Sequence, residues 1–327
     1  MQKNENQVFL LALDSFGKGN LDKSEKLLKI YLKDNPKHPD SFHLLGLISK
    51  SKGENEKAFE LLKFAIKLDP QNWRFYLDLG DTLFQVGEYE KALKILGYAK
   101  NLNNKLPIIY FLIGKSFSKL NYYMNAIEFY DLGLALDKNN DEEHHNLGIF
   151  LLEIGDIKRS IYHFKKSIEF NKKNYKYYLS LGKALIINCE IKNAIPYFQE
   201  SIKLNAKNDM TIACLGNAFL LLNRIEEAKY QYQNAISLNV NNTDALLGMV
   251  NINEHSGDLD LAIKNCKLLL DSKQTNLKVL LKLSNLYERK ECLDQALIYL
   301  EKAISIDQSS IQLSLDLYRL KNTIFNH

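Results

Sequence analysis

The sequence predicts an all-α fold laid out as a tandem array of helix-turn-helix repeats, and three observations predict it. Glycine occupies positions 46, 80, 114, 148, 182 and 216, each 34 residues after the last and each preceded by Leu or, at 113, Ile. Twelve residues beyond the glycine phase a small residue recurs, at Ser24, Ala58, Ala92, Ala126, Ser160, Ala194, Ala228, Ala262 and Ala296. Bulky side chains fall four residues before the glycine phase (Phe42, Tyr76, Tyr110, His144, Tyr178, Ile212, Leu246, Leu280) and four after the small residue (Leu28, Leu62, Leu96, Tyr130, Phe164, Phe198, Tyr232, Cys266, Leu300). Residues three or four apart share a face only on a helix, so each period holds two helices.

Each element follows from these positions. The glycine of the first helix and the small residue of the second sit where two axes approach closely, and the bulky residues fill the space beside them. Between the two helices Gly19, Gly53, Gly87, Gly155 and Gly257 recur in phase with Asn121 and Asn223, residue types that tolerate the left-handed backbone ending a helix. The next position is often a cap or first-turn acid, as at Asn20, Glu54, Glu88, Asp156, Glu190 and Asp258, which starts the second helix. Between repeats, Asn35-Pro36 and Asp69-Pro70 mark turns, and Asn104, Lys138, Lys172, Ala206, Val240, Gln274 and Gln308 replace the proline later. Pro196 lies inside the second helix of repeat six, where a lost donor predicts a mild kink. Residues 311–326 read as one more amphipathic helix, with Leu313, Leu317, Leu320 and Ile324 on one face, expected to cover the open end of the array and close it.

Composition narrows the function classes. The chain has 327 residues, 46% hydrophobic and 25% charged, a balance that suits a folded soluble protein and not a disordered one. Lys and Arg total 43 against 39 Asp and Glu, a net +4, and the basic residues are scattered; only Arg74, Arg159, Arg224, Arg289 and Arg319 are arginines, which argues against a nucleic-acid binder. Cys189, Cys214, Cys266 and Cys292 form no C-x-x-C pair and have no histidine at ligand spacing, so neither zinc nor a disulfide framework is indicated. The apolar run Val8 to Leu13 is too short for a secretory signal, and no stretch approaches the roughly 20 apolar residues of a membrane span. These readings predict a cytoplasmic protein.

The pattern aromatic-x-x-Leu-Gly, then Ala, then an aromatic or Leu, then Pro, at a period of 34, resembles the tetratricopeptide repeat. In that register nine repeats begin at Glu5, Pro39, Trp73, Pro107, Asp141, Tyr175, Asp209, Thr243 and Leu277 and cover residues 5–310, with 311–326 as a C-terminal capping helix. Repeats eight and nine carry Val250 and Ser284 at the glycine position, and repeat one carries Ala12 there and Ser24 at the alanine position. The resemblance implies a right-handed α-solenoid, a superhelix whose first helices line the concave side. It also implies that ligands are met by the second, fifth, sixth, ninth, twelfth and thirteenth residues of a repeat.

The ninth position runs Leu13, Leu47, Asp81, Lys115, Ile149, Lys183, Asn217, Asn251 and Asn285. An Asn amide donates and accepts, so three successive asparagines form a candidate ladder for the backbone of an extended peptide; the alternative is three surface polar residues in an Asn-rich chain. Asn146 is the one asparagine at the sixth position, where some peptide-binding members of the family carry theirs. Lys278 and Lys282 with Asn217 resemble part of the family's carboxylate clamp, but Ala213 and Gly248 stand where that clamp needs Lys and Asn, and two solvated lysines are the plainer reading. The fifth position is mostly apolar (Phe9, Leu77, Phe111, Leu179, Ala213, Leu247, Leu281, with His43 and His145 interrupting), which reads as packing between first helices with any exposed part forming apolar pockets. In the run Glu142-Glu143-His144-His145 the adjacent histidines point apart on a helix, so His144 reads as a packing residue and no metal is expected.

No nucleophile-base pair or phosphate-cradling loop stands out, and no cofactor is implied. The expectation is a non-catalytic scaffold that binds a protein or peptide partner in its concave groove, as a monomer or with weak self-association. The alternative is an accessory or substrate-recruiting subunit of a separate protein-modifying enzyme, because such arrays resemble the repeat regions attached to protein glycosyltransferases and sulfotransferases.

Overall fold

A computed structural model describes residues 2–271, 277–307 and 310–325; Gln274 and Gln308 lie outside them. The chain divides into two compact segments, residues 1–154 and 155–327. The N-terminal segment contains α1 (Gln2–Gly17), α2 (Leu21–Asp34), α3 (Pro39–Ser51), α4 (Asn55–Leu68), α5 (Trp73–Gln85), α6 (Tyr89–Leu102), α7 (Pro107–Lys119), α8 (Tyr123–Leu136) and α9 (Asp141–Glu153). The C-terminal segment contains α10 (Ile157–Phe170), α11 (Tyr175–Ile187), α12 (Ile191–Leu204), α13 (Asp209–Leu221), α14 (Ile225–Leu238), α15 (Thr243–His255), α16 (Leu259–Asp271), α17 (Leu277–Arg289), α18 (Leu293–Ile306) and α19 (Ile311–Phe325). Among the described residues every element is a helix.

Within each segment consecutive helices pack in pairs, such as α3 with α4 and α13 with α14, and successive first helices also touch, as α3 with α5 and α11 with α13. First helices therefore line the inner side of each segment and second helices the outer side. The close approach at the glycine phase is visible atom by atom. A Cβ at Gly80 would meet Leu96 at 2.6 Å, one at Gly182 the Phe198 ring at 2.5 Å, and one at Gly216 the Tyr232 ring at 2.7 Å. Where serine stands on either side of this contact its hydroxyl bonds across it: Ser24, at the small-residue position, donates from Oγ to the Ala12 carbonyl at 2.8 Å, and Ser284, at the glycine position, to the Ala296 carbonyl at 2.9 Å. Ser160 is fully buried with no partner for its hydroxyl.

The turn inside each repeat adopts positive φ at nine positions spaced by 34: Gly19, Gly53, Gly87, Asn121, Gly155, Cys189, Asn223, Gly257 and Glu291. Cys189 and Glu291 complete the series that glycine and asparagine had marked, and both are strained there because a Cβ disfavours left-handed backbone. Between repeats the chain uses two side-chain caps. Asp69, Asn103, Asn171, Asn205 and Asn239 each accept from the backbone N–H two residues on, and Asn72, Asn140, Asn174, Asn208 and Asn242 cap the next first helix. Much of the chain's asparagine is thus loop chemistry.

The bulky residue at the fourth position fastens that loop to the following helix. Tyr76, Tyr110 and Tyr178 donate their hydroxyls to the carbonyls of Pro70, Asn104 and Lys172 at 3.2, 2.9 and 3.2 Å, and His144 Nε2 lies 3.1 Å from the Lys138 carbonyl. His144 is buried in that packing role. Helix α12 runs unbroken through Pro196. Helix α19 packs on α18, with Leu313 and Leu320 buried and Leu317 and Ile324 partly buried against the core of repeats eight and nine.

Candidate functional site

The inner side of the N-terminal segment is closed by its own charges. Asp81 on α5 takes an ion pair from Lys50 on α3 and accepts from Gln85 at 3.1 Å. His43 Nε2 lies 2.6 Å from Asp78 Oδ2 between the same two helices. Farther along, Lys115 Nζ on α7 is 2.6 Å from Glu143 Oε1 on α9, and Asn146 donates to the other Glu143 oxygen at 3.2 Å. Glu143 is buried, so its two partners compensate a desolvated carboxylate. Asp81 and Lys115 are brought into helix-to-helix links, and Asn146 supports the second of them from within α9.

The C-terminal segment is built differently. Between α11, α13 and α15 a cavity of about 460 Å³ is lined by Ile186, Ile187, Phe198, Cys214, Leu220 and Leu221, with Lys183, Asn217 and Asp244 around it. Ile187 and Leu221 are more than half exposed although apolar. Lys183 Nζ has only a weak contact with Met210 Sδ at 3.5 Å, and Asp244 has no ion-pair partner. A second hollow of about 600 Å³ shares Leu220 and is lined by Asn223, Ile225, Glu226, Lys229, Asn251, Ile252, His255 and Ser256. The two hollows meet at Leu220 and together span repeats six to eight, a trough apolar on the repeat-six side and more polar towards repeat eight.

Gly248 explains part of its shape. The Tyr232 ring is clamped between Gly216 and Gly248, where a Cβ would approach to 2.7 and 2.3 Å, and its hydroxyl donates to Asn217 Oδ1 at 2.6 Å. Burial keeps that hydroxyl protonated, raising its pKa above the usual tyrosine range. The bond fixes Asn217 with its Nδ2 pointing away from the acceptor already used. Asn251 and Asn285 are exposed, with no partner for their amides. The three ladder residues therefore differ: Asn217 is oriented from within, the other two are free. Lys282 is ion-paired with Glu254, which also takes Arg289 Nη1 at 2.6 Å, and Lys278 is exposed but already engaged. Of the fifth-position residues, Phe111, Leu179 and Ala213 are buried packing residues, whereas Leu247 is exposed.

Burial pushes the thiols of Cys214 and Cys266 up to about 11, which makes both poor nucleophiles at neutral pH. Reading the ninth position alone missed Ile186, Ile187, Leu220 and Leu221. A signal existed at the thirteenth position, which runs Gly17, Ser51, Gln85, Lys119, Glu153, Ile187, Leu221, His255, Arg289 and turns apolar only in repeats six and seven.

Among the described residues no helix is long and apolar enough to cross a membrane. No curated protein matches the sequence. Several solved structures share the fold: the C-terminal part of a TPR repeat-containing protein from Cytophaga hutchinsonii (17% identity, 72% of this chain and 96% of that one, TM-score 0.60), PilF of Pseudomonas aeruginosa (19%, 63% and 94%, 0.53) and YrrB, a TPR protein with an unusual peptide-binding site (18%, 57% and 95%, 0.50). Family models described as tetratricopeptide repeat match residues 51–104 and, separately, 108–140, 175–208 and 277–310. Helix pairs of one pattern, a glycine contact that recurs every 34 residues and these matches agree: the chain is a member of the tetratricopeptide repeat family.

Proposed function

We propose that the chain is a non-catalytic interaction scaffold that holds an extended peptide of a partner protein in the trough of repeats six to eight. The observation that carries this reading is the cavity between α11, α13 and α15, apolar at its floor, with Ile187 and Leu221 left exposed at its edge and Lys183 and Asp244 unpaired beside it. In the N-terminal segment Asp81, Lys115 and Asn146 are satisfied by their neighbours; here Lys183 and Asp244 await a ligand. An apolar side chain of the peptide seats over Leu220 and Leu221. Asn217, held by Tyr232, and Asn251 meet the peptide backbone, which requires no particular side chain there. Asn285, Lys278 and Lys282 lie farther along, and the ion pair to Glu254 leaves Lys282 little charge to offer a carboxylate. That the protein named YrrB is described as having a peptide-binding site on the same fold supports the class of ligand.

The test is affinity for peptides selected from a displayed random library against the full chain. Asn217→Ala combined with Asn251→Ala is expected to weaken binding about tenfold, the sum of two hydrogen bonds worth about 0.5–1.5 kcal/mol each. Unchanged affinity would sink the ladder. Affinity unchanged in Leu221→Lys as well would sink the trough.

A further inference from the structure

The outer side of the N-terminal segment carries a feature the trough does not use. At the twenty-sixth position of repeats one to four stand Ile30, Phe64, Tyr98 and Leu132, which are 53%, 39%, 49% and 42% exposed. The same position in the C-terminal segment holds Lys166, Glu200, Asn234 and Lys302, with only Leu268 apolar and that one half-buried against the core. Scattered exposed apolar residues need no explanation, but four in one register on consecutive second helices put an apolar side chain at the same place in every repeat of the segment. The row is also braced from beneath: Phe42 meets Phe64 edge-on with centroids 4.6 Å apart, and Tyr76 lies 5.7 Å from Tyr98. Rigid aromatic side chains lose little entropy when covered.

Charge decides what fits. Lys26 and Lys33 bracket Ile30 one turn to either side, Lys67 follows Phe64 and Lys94 precedes Tyr98, all exposed and without ion-pair partners. Glu60 and Glu128 occupy the turn before Phe64 and Leu132, and Asp34 the turn after Ile30. The row is thus net basic at repeats one and three, mixed at repeat two and acidic at repeat four. We propose that it docks an amphipathic helix of a partner protein, its apolar face on the four residues, acidic side chains over the lysines and a basic residue at the end that reaches Glu128. An anionic membrane matches the lysines but repels Glu60 and Glu128, and a polarised row suits a ligand with two different ends. The inference stands independently of the trough and makes the protein an adaptor with two docking faces.

The experiment uses the full chain and three synthetic helical peptides that share a leucine face and carry Glu, Gln or Lys along its flanks, with one Lys at the last turn of the Glu peptide. The Glu peptide is expected to bind at least tenfold more tightly than the Lys peptide. Lys33→Glu, Lys67→Glu and Lys94→Glu together should reverse that order, a swap that no folding defect produces. Equal binding of the two peptides, or an order unmoved by the triple variant, overturns the proposal. So does capture of the chain by vesicles of one part phosphatidylserine to three of phosphatidylcholine when no peptide binds. Dimerisation in sedimentation equilibrium that Tyr98→Ser with Leu132→Ser abolishes would assign the row to a second copy of this chain and overturn it equally.

Discussion

The two segments use one repeat and distribute their unsatisfied side chains differently. In residues 1–154 the inner helices are tied by Lys50 to Asp81, His43 to Asp78 and Lys115 to Glu143, while the outer helices expose Ile30, Phe64, Tyr98 and Leu132. In residues 155–327 that outer register is polar apart from Leu268, although Tyr162, Tyr230 and Ile298 stand exposed one turn earlier on their helices. The inner side there opens into an apolar trough edged by Lys183 and Asp244, neither in an ion pair. Identical backbone geometry therefore places no site by itself. A site arises where a position facing solvent carries side chains that their neighbours leave unsatisfied, and that differs from repeat to repeat.

Substitutions at the glycine contacts should break the comparison most sharply. Gly248→Ala drives a Cβ into the Tyr232 ring, which Gly216 and the Asn217 bond prevent from moving, so a loss of about 2–3 kcal/mol is expected. Gly46→Ala meets Leu62 Cγ and Cδ2 at 2.8 and 2.9 Å, a looser clash than that at Gly248 and with an unbonded aliphatic side chain, and the gain in helix propensity offsets part of it, leaving about 1 kcal/mol. Urea midpoints of the two variants measure the difference; equal losses would mean that Tyr232 is no more constrained than Leu62.

Five substitutions of smaller effect sharpen it. Ser160→Ala removes a buried hydroxyl without a partner and should stabilise by about 1 kcal/mol, whereas Ser24→Ala, which deletes the bond to Ala12, should destabilise by a similar amount. Cys189→Gly and Glu291→Gly relieve positive φ and should each raise the melting temperature, by about 0.5–1 kcal/mol of stability, while Gly87→Ala at the same phase should lower it.

The smallest effect is a pH dependence that Glu25 gives the N-terminal segment. Hydrogen bonds from Lys29 and Lys52 hold Glu25 down to about 2, below its usual 4.5. A depressed folded-state pKa contributes stability above the unfolded value, which is lost as pH falls from about 4.5 towards 2. Solvent screening keeps it modest. Glu25→Gln should flatten acid unfolding of this segment between those values, and an unchanged acid limb would show that the pair contributes nothing.

Much of the fold was legible because it is periodic. Gly46 to Gly216, the alanine phase and the turn glycines all report backbone requirements, and backbone requirements repeat with the helix pairs. The two strained turn residues, Cys189 and Glu291, were not legible by residue type, since neither favours positive φ; only their place in the series marks them. The site was less legible. Asn217, Asn251 and Asn285 look alike in sequence, yet Tyr232 orients the first and leaves the others free, a distinction that depends on a ring wedged between two glycines. Lys282 looked solvated until Glu254, from the preceding repeat, was seen to hold it. Ion pairs between side chains 28 residues apart follow from packing, not from a pattern along the chain.

The central claim is that ligand binding on the inner side belongs to repeats six to eight and not to the self-paired helices of the N-terminal segment. Amide hydrogen exchange of the full chain, with and without a library-selected peptide whose affinity Leu221→Lys lowers, tests it most directly. The account predicts added protection in α11, α13 and α15 and none in α3, α5 and α7. Protection concentrated in α3, α5 and α7, where Lys50, Asp81 and Lys115 would have to leave their partners, would contradict it.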